Sequence, residues 1–509
     1  MDKLKADVRT VESCSLVNQF STRQGLELSV ALPEYFGDIV KVLRCSVTPV
    51  AVSVVCQSGQ ITAEGYHVVR MVYVAENGGV YAYETSEQFS KHLDVSDCDG
   101  CNVVDFIWAE GCSCRAVSPR RFDVRAVVQF HFKCYGAVSR ELLDTAEGGG
   151  IQLQEATIQM ENVKNVLAKK ITLNETNELP AGKPDANRIL SVSASAALTE
   201  TKAISGKLML KGEVTQKILY ISEGSGTPET AKLTLPFSEI ADVNGLTDAM
   251  EHRVQLRLVH SDVVMKPLQS GSMRIAESTV HLQAEIFCGS EAACRIVSDA
   301  FSTDYDVKTA SVAVESVLVS RQIAENVMTT GDFSLAELAP ESILDHECRV
   351  ESMKTIVQGD TALVQGSVVF GLLYQSNAGG LGYVERNLDF TWSKELSGIA
   401  GELRLEPYVS VFASSVSLNG QQAAVQAELF VEGKLTAVQP LTAISQVELL
   451  EDHAKARDET GMIIYFAEQG ENVWDIAKRY NTSPALLAAD NRLSGDTIAE
   501  KQTLLISCV

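Results

Sequence analysis

Long stretches of this chain alternate between apolar and polar residues. The clearest runs from Phe122 to Lys133, and similar runs occupy residues 280–286 and 425–431. A period of two residues is typical of strands with one buried face. We therefore predict a mainly β fold whose β-rich modules are sandwiches or half-barrels of antiparallel strands.

One short signature occurs three times. A glycine is followed by a tyrosine eight residues later and then by a phenylalanine sixteen or seventeen residues further on. Glycine-rich turn residues come directly after each tyrosine, which predicts a hairpin tip there. Because the same three residue types recur at nearly the same spacing three times, the sequence predicts a tandem repeat. The three sets are Gly65, Tyr73 and Phe89; Gly212, Tyr220 and Phe237; and Gly366, Tyr374 and Phe390.

The repeated glycine and tyrosine have structural explanations that we prefer to functional ones. A glycine at a fixed point of a strand usually marks a bulge or a close backbone approach. A tyrosine among apolar neighbours usually packs with its hydroxyl at the rim. The chain has 509 residues, enough for about three to four domains. We assign three modules to residues 1–147, 148–308 and 309–440.

The composition changes after residue 440. Residues 441–461 are polar and acidic, and we predict a linker that is partly helical. Residues 462–509 predict a small β-α-α-β domain. Its first helix carries apolar residues at helical spacing, and Ser483-Pro484 provides a good start for the second.

This last segment resembles a LysM domain. Residues 469–480, QGENVWDIAKRY, look like the opening of that domain, and residues 493–498, LSGDTI, look like its end. LysM domains usually bind polymers of N-acetylglucosamine in a shallow groove between two loops. The resemblance implies that these loops contain Gly470, Glu471 and Asn472 on one side and Asn491, Arg492, Leu493 and Ser494 on the other.

Two positions depart from the usual LysM pattern. Glu471-Asn472 replaces a common Asp-Thr pair, and Asn491-Arg492 replaces a common Asn-Pro pair. Both changes lie in the loops that contact glycan, which favours a protein partner.

Trp474 lies off the apolar stripe of the first helix, and two interpretations stay open. It is either a partly exposed anchor for a partner or a side chain that closes the small core from the side. Lys478 follows one turn later and could pair with acidic groups on a partner, although solvated helix charges are the default.

The repeated module resembles the DUF3794, or SPOCS, domain of clostridial spore proteins, on its Gly-to-Tyr spacing and on the strand after Pro119-Arg120. Several such domains followed by one LysM domain are the layout of SipL-like spore coat morphogenetic proteins. The resemblance implies a non-catalytic scaffold or adaptor without a cofactor. The same resemblance implies that the protein works in the mother cell at the forespore surface, where its LysM domain docks on the coat scaffold ATPase, SpoIVA.

Charge and targeting signals agree with that interpretation. The formal net charge is −23, which repels nucleic-acid phosphates and anionic lipid head groups. Charged residues are distributed through the first ten positions, which lack the apolar core of a secretory signal. No stretch reaches the about 18–20 consecutive apolar residues of a membrane span. We therefore expect a cytosolic protein.

Twelve cysteines in a chain expected to be cytosolic predict reduced thiols. Cys98, Cys101, Cys112 and Cys114 are a weak metal-site candidate, because the first pair has zinc-knuckle spacing and the second is the less usual C-x-C. Small semi-buried residues in a hairpin are the favoured alternative, so we expect no metal.

Two rival functions stay open. One is a wall-binding protein whose LysM domain binds peptidoglycan while the β modules serve as spacers. The other is an enzyme, but P-loop, H-E-x-x-H and G-x-S-x-G motifs are missing from the sequence, and its eight histidines are scattered. We therefore expect no enzymatic activity.

Overall fold

The computed structural model describes residues 3–96, 98–396, 398, 401–455 and 461–507. Strands dominate this part of the chain, which confirms the mainly β prediction. They form six three-stranded sheets and one two-stranded sheet, all antiparallel.

Residues 5–454 build one six-strand arrangement three times. We call these unit 1 (residues 5–147), unit 2 (151–302) and unit 3 (305–454). In each unit the first, sixth and fifth strands form one sheet and the second, third and fourth form another. The strands of unit 1 are β1 (Lys5–Ala31), β2 (Ile39–Gln57), β3 (Gln60–Ala75), β4 (Val80–Asp94), β5 (Asn102–Ser118) and β6 (Arg121–Glu147).

Units 2 and 3 follow the same order. The strands of unit 2 are β7 (Ile151–Glu178), β8 (Ala186–Ile204), β9 (Lys207–Ser222), β10 (Pro228–Asp242), β11 (His252–Pro267) and β12 (Met273–Ser302). Those of unit 3 are β13 (Tyr305–Ser334), β14 (Pro340–Gln358), β15 (Thr361–Ser376), β16 (Leu381–Glu395), β17 (Glu402–Asn419) and β18 (Gln422–Ala454), with a short 3-10 helix at Ala336–Leu338.

The repeated glycine lies in the central strand of the smaller sheet, directly opposite the repeated phenylalanine. Gly212 pairs with Phe237 across β9 and β10, and a Cβ at Gly212 would lie 2.6 Å from that ring and 2.3 Å from the Ala197 carbonyl oxygen. The neighbouring strand has a register shift beside each of these glycines. The prediction of a bulge with close backbone approach is therefore confirmed.

The repeated tyrosine closes the end of the same sheet. The Tyr73 hydroxyl donates to the Gly37 carbonyl at 3.0 Å, and the Tyr220 hydroxyl donates to the Pro184 carbonyl at the same distance. Both rings are fully buried. Their hydroxyls satisfy carbonyls of the loop that leads into the second strand, so these tyrosines have a structural role.

Equivalent residues from the three units pack against one another, which is the arrangement of an approximate threefold axis. One shared cluster lies between the smaller sheets, where Leu190 and Leu219 of unit 2 are almost completely buried. Strand pairing with the repeated tyrosines establishes the equivalence. The two matching trios are Leu43, Leu190 and Leu344, and Val72, Leu219 and Leu373.

The long first and sixth strands of each unit continue past the sandwiches and meet again around the same axis. We call this part the stem, formed by the β1–β6, β7–β12 and β13–β18 hairpins. Each stem strand contributes an equivalent apolar residue to the shared core. The trios here are Leu142, Ile296 and Ala443; Leu143, Val297 and Ile444; and Val11, Ile158 and Val314.

Charged pairs differ between the three contacts. Lys170 of unit 2 lies 2.9 Å from the buried Asp105 of unit 1, and Arg44 of unit 1 lies 2.6 Å from Glu347 of unit 3. Lys434 of unit 3 lies 2.7 Å from Glu161 of unit 2. Because truncating one partner would leave a charge in a low-dielectric interface, these pairs favour one neighbour order over another.

The predicted linker is partly replaced by strand. Residues 441–454 belong to β18 and pair with β13, so the chain is not helical there. Ile444 is buried in the stem and Val447 packs beside it, while Glu448 is exposed between Val447 and Leu449. Acidic composition suggested a linker, but the exposed face of a half-buried strand also carries acidic residues. Residues 456–460 lie outside the described residues.

The C-terminal domain has the predicted β-α-α-β order. It comprises β19 (Met462–Ala467), α1 (Val473–Arg479), α2 (Pro484–Asn491) and β20 (Gln502–Ser507), with β19 and β20 paired antiparallel. Neither of these helices, nor any other in the described residues, has the length and apolarity needed to span a bilayer.

We expect Leu190→Ala to destabilise the whole assembly of units. Leu190 is 1% exposed at the axis, and truncation of such a leucine leaves a cavity that costs about 2–4 kcal/mol. The midpoint of urea denaturation should fall clearly. Leu16→Ala is the control, because Leu16 is 44% exposed. An unchanged midpoint for Leu190→Ala would contradict a packed axis.

We also expect stability to fall as the pH drops from about 6.5 towards 4. Burial lowers the pKa of His260 to about 4, with Arg70 and His281 adding to the shift and Asp262 opposing it. The unfolded chain, with a pKa near 6.5, therefore binds the proton more readily, so acid favours unfolding by up to about 1.4 kcal/mol per pH unit.

Denaturation midpoints measured across this pH range test that expectation. His260→Asn should flatten the dependence, because it removes the buried imidazole. Equal slopes for the wild type and His260→Asn would exclude His260 as the cause.

Candidate binding site in the C-terminal domain

Two short helices pack on one face of the β19–β20 sheet. The Asn472 side chain caps α1 by accepting from the Trp474 backbone N–H at 2.8 Å, and Ser483 caps α2 by accepting from Leu486 at 3.1 Å. Pro484 occupies the first turn of α2. Ile476, Leu487 and other buried side chains form the small core beneath the helices.

The first predicted loop is tied to the far end of the second. The Gly470 N–H donates to the Ile498 carbonyl at 2.8 Å, and the Ile498 N–H donates to the Glu471 carbonyl at 2.8 Å. The Val473 N–H donates to the Asp496 carbonyl at 2.9 Å. The structure therefore brings residues 470–472 next to residues 496–498, at the end of the loop that begins with Asn491.

The polar side chains of the predicted groove are engaged inside the domain. The Glu471 carboxylate accepts from the Tyr465 hydroxyl at 2.7 Å and from the Glu468 N–H at 2.8 Å. These hydrogen bonds, that from Tyr465 first, lower the pKa of Glu471. The side chain thus holds the first loop against β19 instead of projecting towards a ligand.

Asn491 joins α2 to β20. Its side-chain amide donates to the carbonyls of Leu487 and Leu505 at 2.9 and 2.7 Å, and its oxygen accepts from the Leu505 N–H at 2.6 Å. Arg492 follows with φ +54°, a left-handed conformation that a proline ring cannot adopt. A proline at position 492 would therefore not fit this backbone conformation.

The other residues of the predicted groove differ in how much of their surface is exposed to solvent. Gly470, Arg492 and Ser494 are exposed, whereas Leu493 is half-buried against the core. These three are the most exposed of the predicted groove residues, and ligand binding there stays a prediction.

Trp474 is buried, contrary to the partial exposure expected of a partner anchor. It is 8% exposed, and its ring lies 4.9 Å from that of Phe301 in an edge-to-face arrangement. The indole Nε1–H donates to Asp299 Oδ2 at 2.8 Å. Lys478 Nζ donates to the same oxygen at 2.6 Å. Both residues contact unit 2 of their own chain.

Asp299 is the charged centre of this docking contact. Its burial opposes ionisation, but the hydrogen bonds from Lys478 and Trp474 outweigh that effect and lower the pKa of the carboxyl. Lys455 adds a second link, since its ammonium donates to the Ser302 carbonyl and to Asn481 Oδ1, both at 2.8 Å. The C-terminal domain is therefore held on the end of the stem.

Of the three units, only unit 2 has the residues that contact Trp474 and Lys478. A register shift precedes Asp299 in β12 and recurs at the matching places in β6 and β18, which makes the three strand ends equivalent. In unit 1 the counterparts of Asp299 and Phe301 are Thr145 and Glu147, and in unit 3 they are Gln446 and Glu448. Neither alternative combines a carboxylate for Lys478 with an aromatic ring for Trp474.

The outer face of the β19–β20 sheet is apolar and exposed, and sequence analysis missed it. Ile464 is 61% exposed and Phe466 is 69% exposed, although both are large apolar residues. The helices cover only the opposite face. We call this surface the outer stripe, which comprises Met462, Ile464, Phe466 and Leu505. The signal was available: residues 462–467 are apolar at every position, although only one face of a two-stranded sheet can be covered by two helices.

The four cysteines proposed as a weak metal candidate are not one cluster. The Cys101 sulfur lies beside Gly136 of β6, whereas Cys112 pairs with Ala126 of the same strand. Gly136 and Ala126 are ten residues apart along β6, a distance of about 34 Å. No group of three or more His, Cys, Asp or Glu residues among those described could hold a metal ion.

Comparison with known families agrees with these features. A model of the SipL SPOCS domain matches residues 185–266, from the start of β8 into β11 of unit 2. A model of the LysM domain matches residues 468–507. No curated protein matches the chain, and no solved structure does.

Three like β units that carry a small domain of a carbohydrate-binding family define a modular binding protein. Both matched families are binding-domain families without catalytic activity. Over residues 185–266 the chain is similar to the SPOCS domain of SipL, and over residues 468–507 it is similar to a LysM domain. The SipL match implies a role in sporulation.

We expect Asp299→Asn to loosen the LysM domain from the stem. The change removes the charge that Lys478 contacts while keeping the side-chain size, and a hydrogen bond to a charged group contributes about 1.5–3 kcal/mol. Backbone hydrogen exchange in α1 should accelerate by about tenfold or more, provided that docking protects this helix.

Asp475→Asn is the matched control, because Asp475 is an exposed acidic residue on α1 itself. If the two variants exchanged α1 amides at the same rate, Asp299 would not secure the domain.

Proposed function

We propose that this chain is a non-catalytic scaffold in endospore coat assembly whose LysM domain docks on the coat scaffold ATPase, a SpoIVA-like protein. The family matches support the setting, since SipL implies sporulation. The observation that carries the proposal is the outer stripe. Four large apolar side chains face solvent on one small sheet, and exposed patches of this kind typically mark protein interaction sites.

The choice of a protein over a glycan rests on the chemistry of both surfaces. Glycan binding needs free polar groups, yet the side chains of Glu471 and Asn491 form hydrogen bonds to other groups of the same domain. The outer stripe offers aliphatic and aromatic area without such groups. A protein with an apolar surface of its own fits this face better than a sugar polymer, because burying the stripe removes apolar area from water.

The rest of the chain suits a scaffold. Units 1 to 3 share buried clusters around one axis, and the LysM domain is hydrogen-bonded to unit 2 at the stem. In our proposal the stripe is thereby displayed in a constant orientation relative to the three units. The protein would act in the mother cell, at the surface of the forespore, where coat layers assemble.

We expect Phe466→Ser to weaken binding of the full-length chain to purified coat scaffold ATPase by about tenfold or more. A truncated anchor at the centre of an interface typically costs over 1 kcal/mol, and tenfold corresponds to 1.4 kcal/mol. Ile464→Ser should act in the same direction. Surface-immobilised ATPase and a titration of each variant give the dissociation constants.

Phe412→Ser is the matched control, since Phe412 is 62% exposed on β17 of unit 3. The proposal fails if Phe466→Ser and Phe412→Ser bind the ATPase equally well. A pull-down with purified peptidoglycan tests the rival function. Strong retention that Arg492→Ala removes and Phe466→Ser leaves intact would favour a glycan-binding LysM domain with β-rich spacer units.

A further inference from the structure

One face of unit 2 binds the edge strand β5 of unit 1 through three side chains. The Lys170 ammonium donates to both carboxylate oxygens of Asp105 in β5, at 2.9 and 3.0 Å. Gln283 and Arg257 each donate to the Asp105 carbonyl oxygen at 2.9 Å. The Arg257 guanidinium also lies over the ring of Phe106, 4.5 Å from its centroid. This face therefore recognises a carboxylate, the carbonyl of the same residue and the aromatic ring that follows it.

Strand register locates the equivalent face of unit 1. In each unit the pairing of the first and sixth strands shifts once next to the sandwich, and both Arg23 and Lys170 lie five residues beyond that shift. Each pairs with a glutamine of the sixth strand, which is Gln129 in unit 1. From the fifth strand, Trp108 pairs with this glutamine as Arg257 does in unit 2. Unit 1 thus repeats the cation and the amide and replaces the guanidinium with an indole.

Unit 3 does not repeat this chemistry. By the same register, Ala324 takes the place of Arg23 and Glu432 takes the place of Gln129. Neither residue can neutralise a carboxylate of a neighbouring strand. The combination of a cation with an amide donor is therefore particular to units 1 and 2.

In unit 1 this face is open. A cavity of about 330 Å³ is lined by Arg23, Trp108, Glu110 and Gln129, together with neighbouring residues of β1 and β6. Trp108 is 39% exposed, and its ring centroid lies 4.7 Å from that of Phe106, at the margin of the contact with unit 2. The cavity is therefore continuous with an established interface between units.

An internal group occupies the amide donor at the base of the cavity. Gln129 is only 8% exposed, and its Nε2–H donates to Glu110 Oε2. In unit 2 the equivalent amide donates to the Asp105 carbonyl instead. Glu110 is exposed on β5, so an incoming strand can displace its carboxylate and take over the hydrogen bond.

We propose that Arg23, Gln129 and Trp108 form a docking site for the edge strand of a partner protein, one that presents a carboxylate followed by an aromatic residue. Arg23 binds the carboxylate, Gln129 donates to the carbonyl of the same residue, and Trp108 packs against the ring. A second copy of this chain does not fit, because its Asp105 is 3% exposed beneath its own unit 2. The site gives the scaffold a docking surface separate from the outer stripe.

The probe is a fluorescent peptide with the sequence of residues 102–109, NVVDFIWA, which carries the Asp-Phe pair that unit 2 recognises. Anisotropy measured during titration with the full-length protein gives the dissociation constant. We expect the peptide to bind, and the peptide with Asp105→Asn to bind about tenfold more weakly, because it loses a charge-assisted hydrogen bond. Both peptides meet the same wild-type protein, so folding does not affect the comparison. Equal affinities, or no binding of either peptide, would overturn the proposal.

Protein variants locate the bound peptide. Arg23→Ala should weaken binding by about tenfold, whereas Arg23→Lys should retain most of it, since lysine fills this place in unit 2. Trp108→Arg should strengthen binding, because it restores the guanidinium that Arg257 supplies there. Glu110→Ala should also strengthen binding by removing the group that competes for the amide.

Arg125→Ala is the matched control, because Arg125 is an exposed arginine on the same face of β6, four residues from Gln129. Phe466→Ser should likewise leave the peptide affinity unchanged, which separates this site from the outer stripe. Binding that Arg23→Ala leaves intact and Phe466→Ser removes would place the peptide on the LysM domain and contradict a site in unit 1.

Discussion

The packing of three equivalent apolar edges around one axis is the constraint on which this structure depends. Each unit closes its own sandwich core but leaves a leucine and a second aliphatic residue on the outside of its smaller sheet. Leu190 is almost completely buried only because the other units contribute Leu43 and Leu344. Burying such a side chain contributes about 1.5–3 kcal/mol, so contact at the axis adds to the stability of all three units.

The same axis organises the stem and, through it, the position of the LysM domain. The stem hairpins share clusters that contain one residue from each unit, and their ends are equivalent by strand register. The three stem ends have equivalent backbones, and their different side chains determine which end the LysM domain contacts. Asp299 and Phe301 accept Lys478 and Trp474, whereas Glu147 and Glu448 stand in the place of Phe301 elsewhere. An approximate symmetry is thus broken by two residues.

Predictability from sequence differed between the repeat and the binding site. Gly212 and Phe237 were visible as marks of fixed spacing, because a missing Cβ and the ring that fills its place are local requirements of a hairpin. For Trp474 the sequence left partial exposure and burial at the side of the core both open, since helix phase shows only that the side chain leaves the apolar stripe and not what it contacts. Its partner Asp299 lies 175 residues earlier in the chain. Residues 462–467 were visible as a short apolar strand, but a run that is apolar throughout does not show which of its faces the helices leave uncovered.

By itself the sequence determined the mainly β class, the threefold repeat, the order of elements in the LysM domain and the caps of its helices. These features depend on neighbours within a few residues or on a spacing that recurs. Only the tertiary structure decided that the repeats surround an axis, that Trp474 contacts Phe301, and that Asn491 joins α2 to β20. Such contacts depend on how separate sheets pack, and the sequence around a side chain does not indicate which distant residue it will contact.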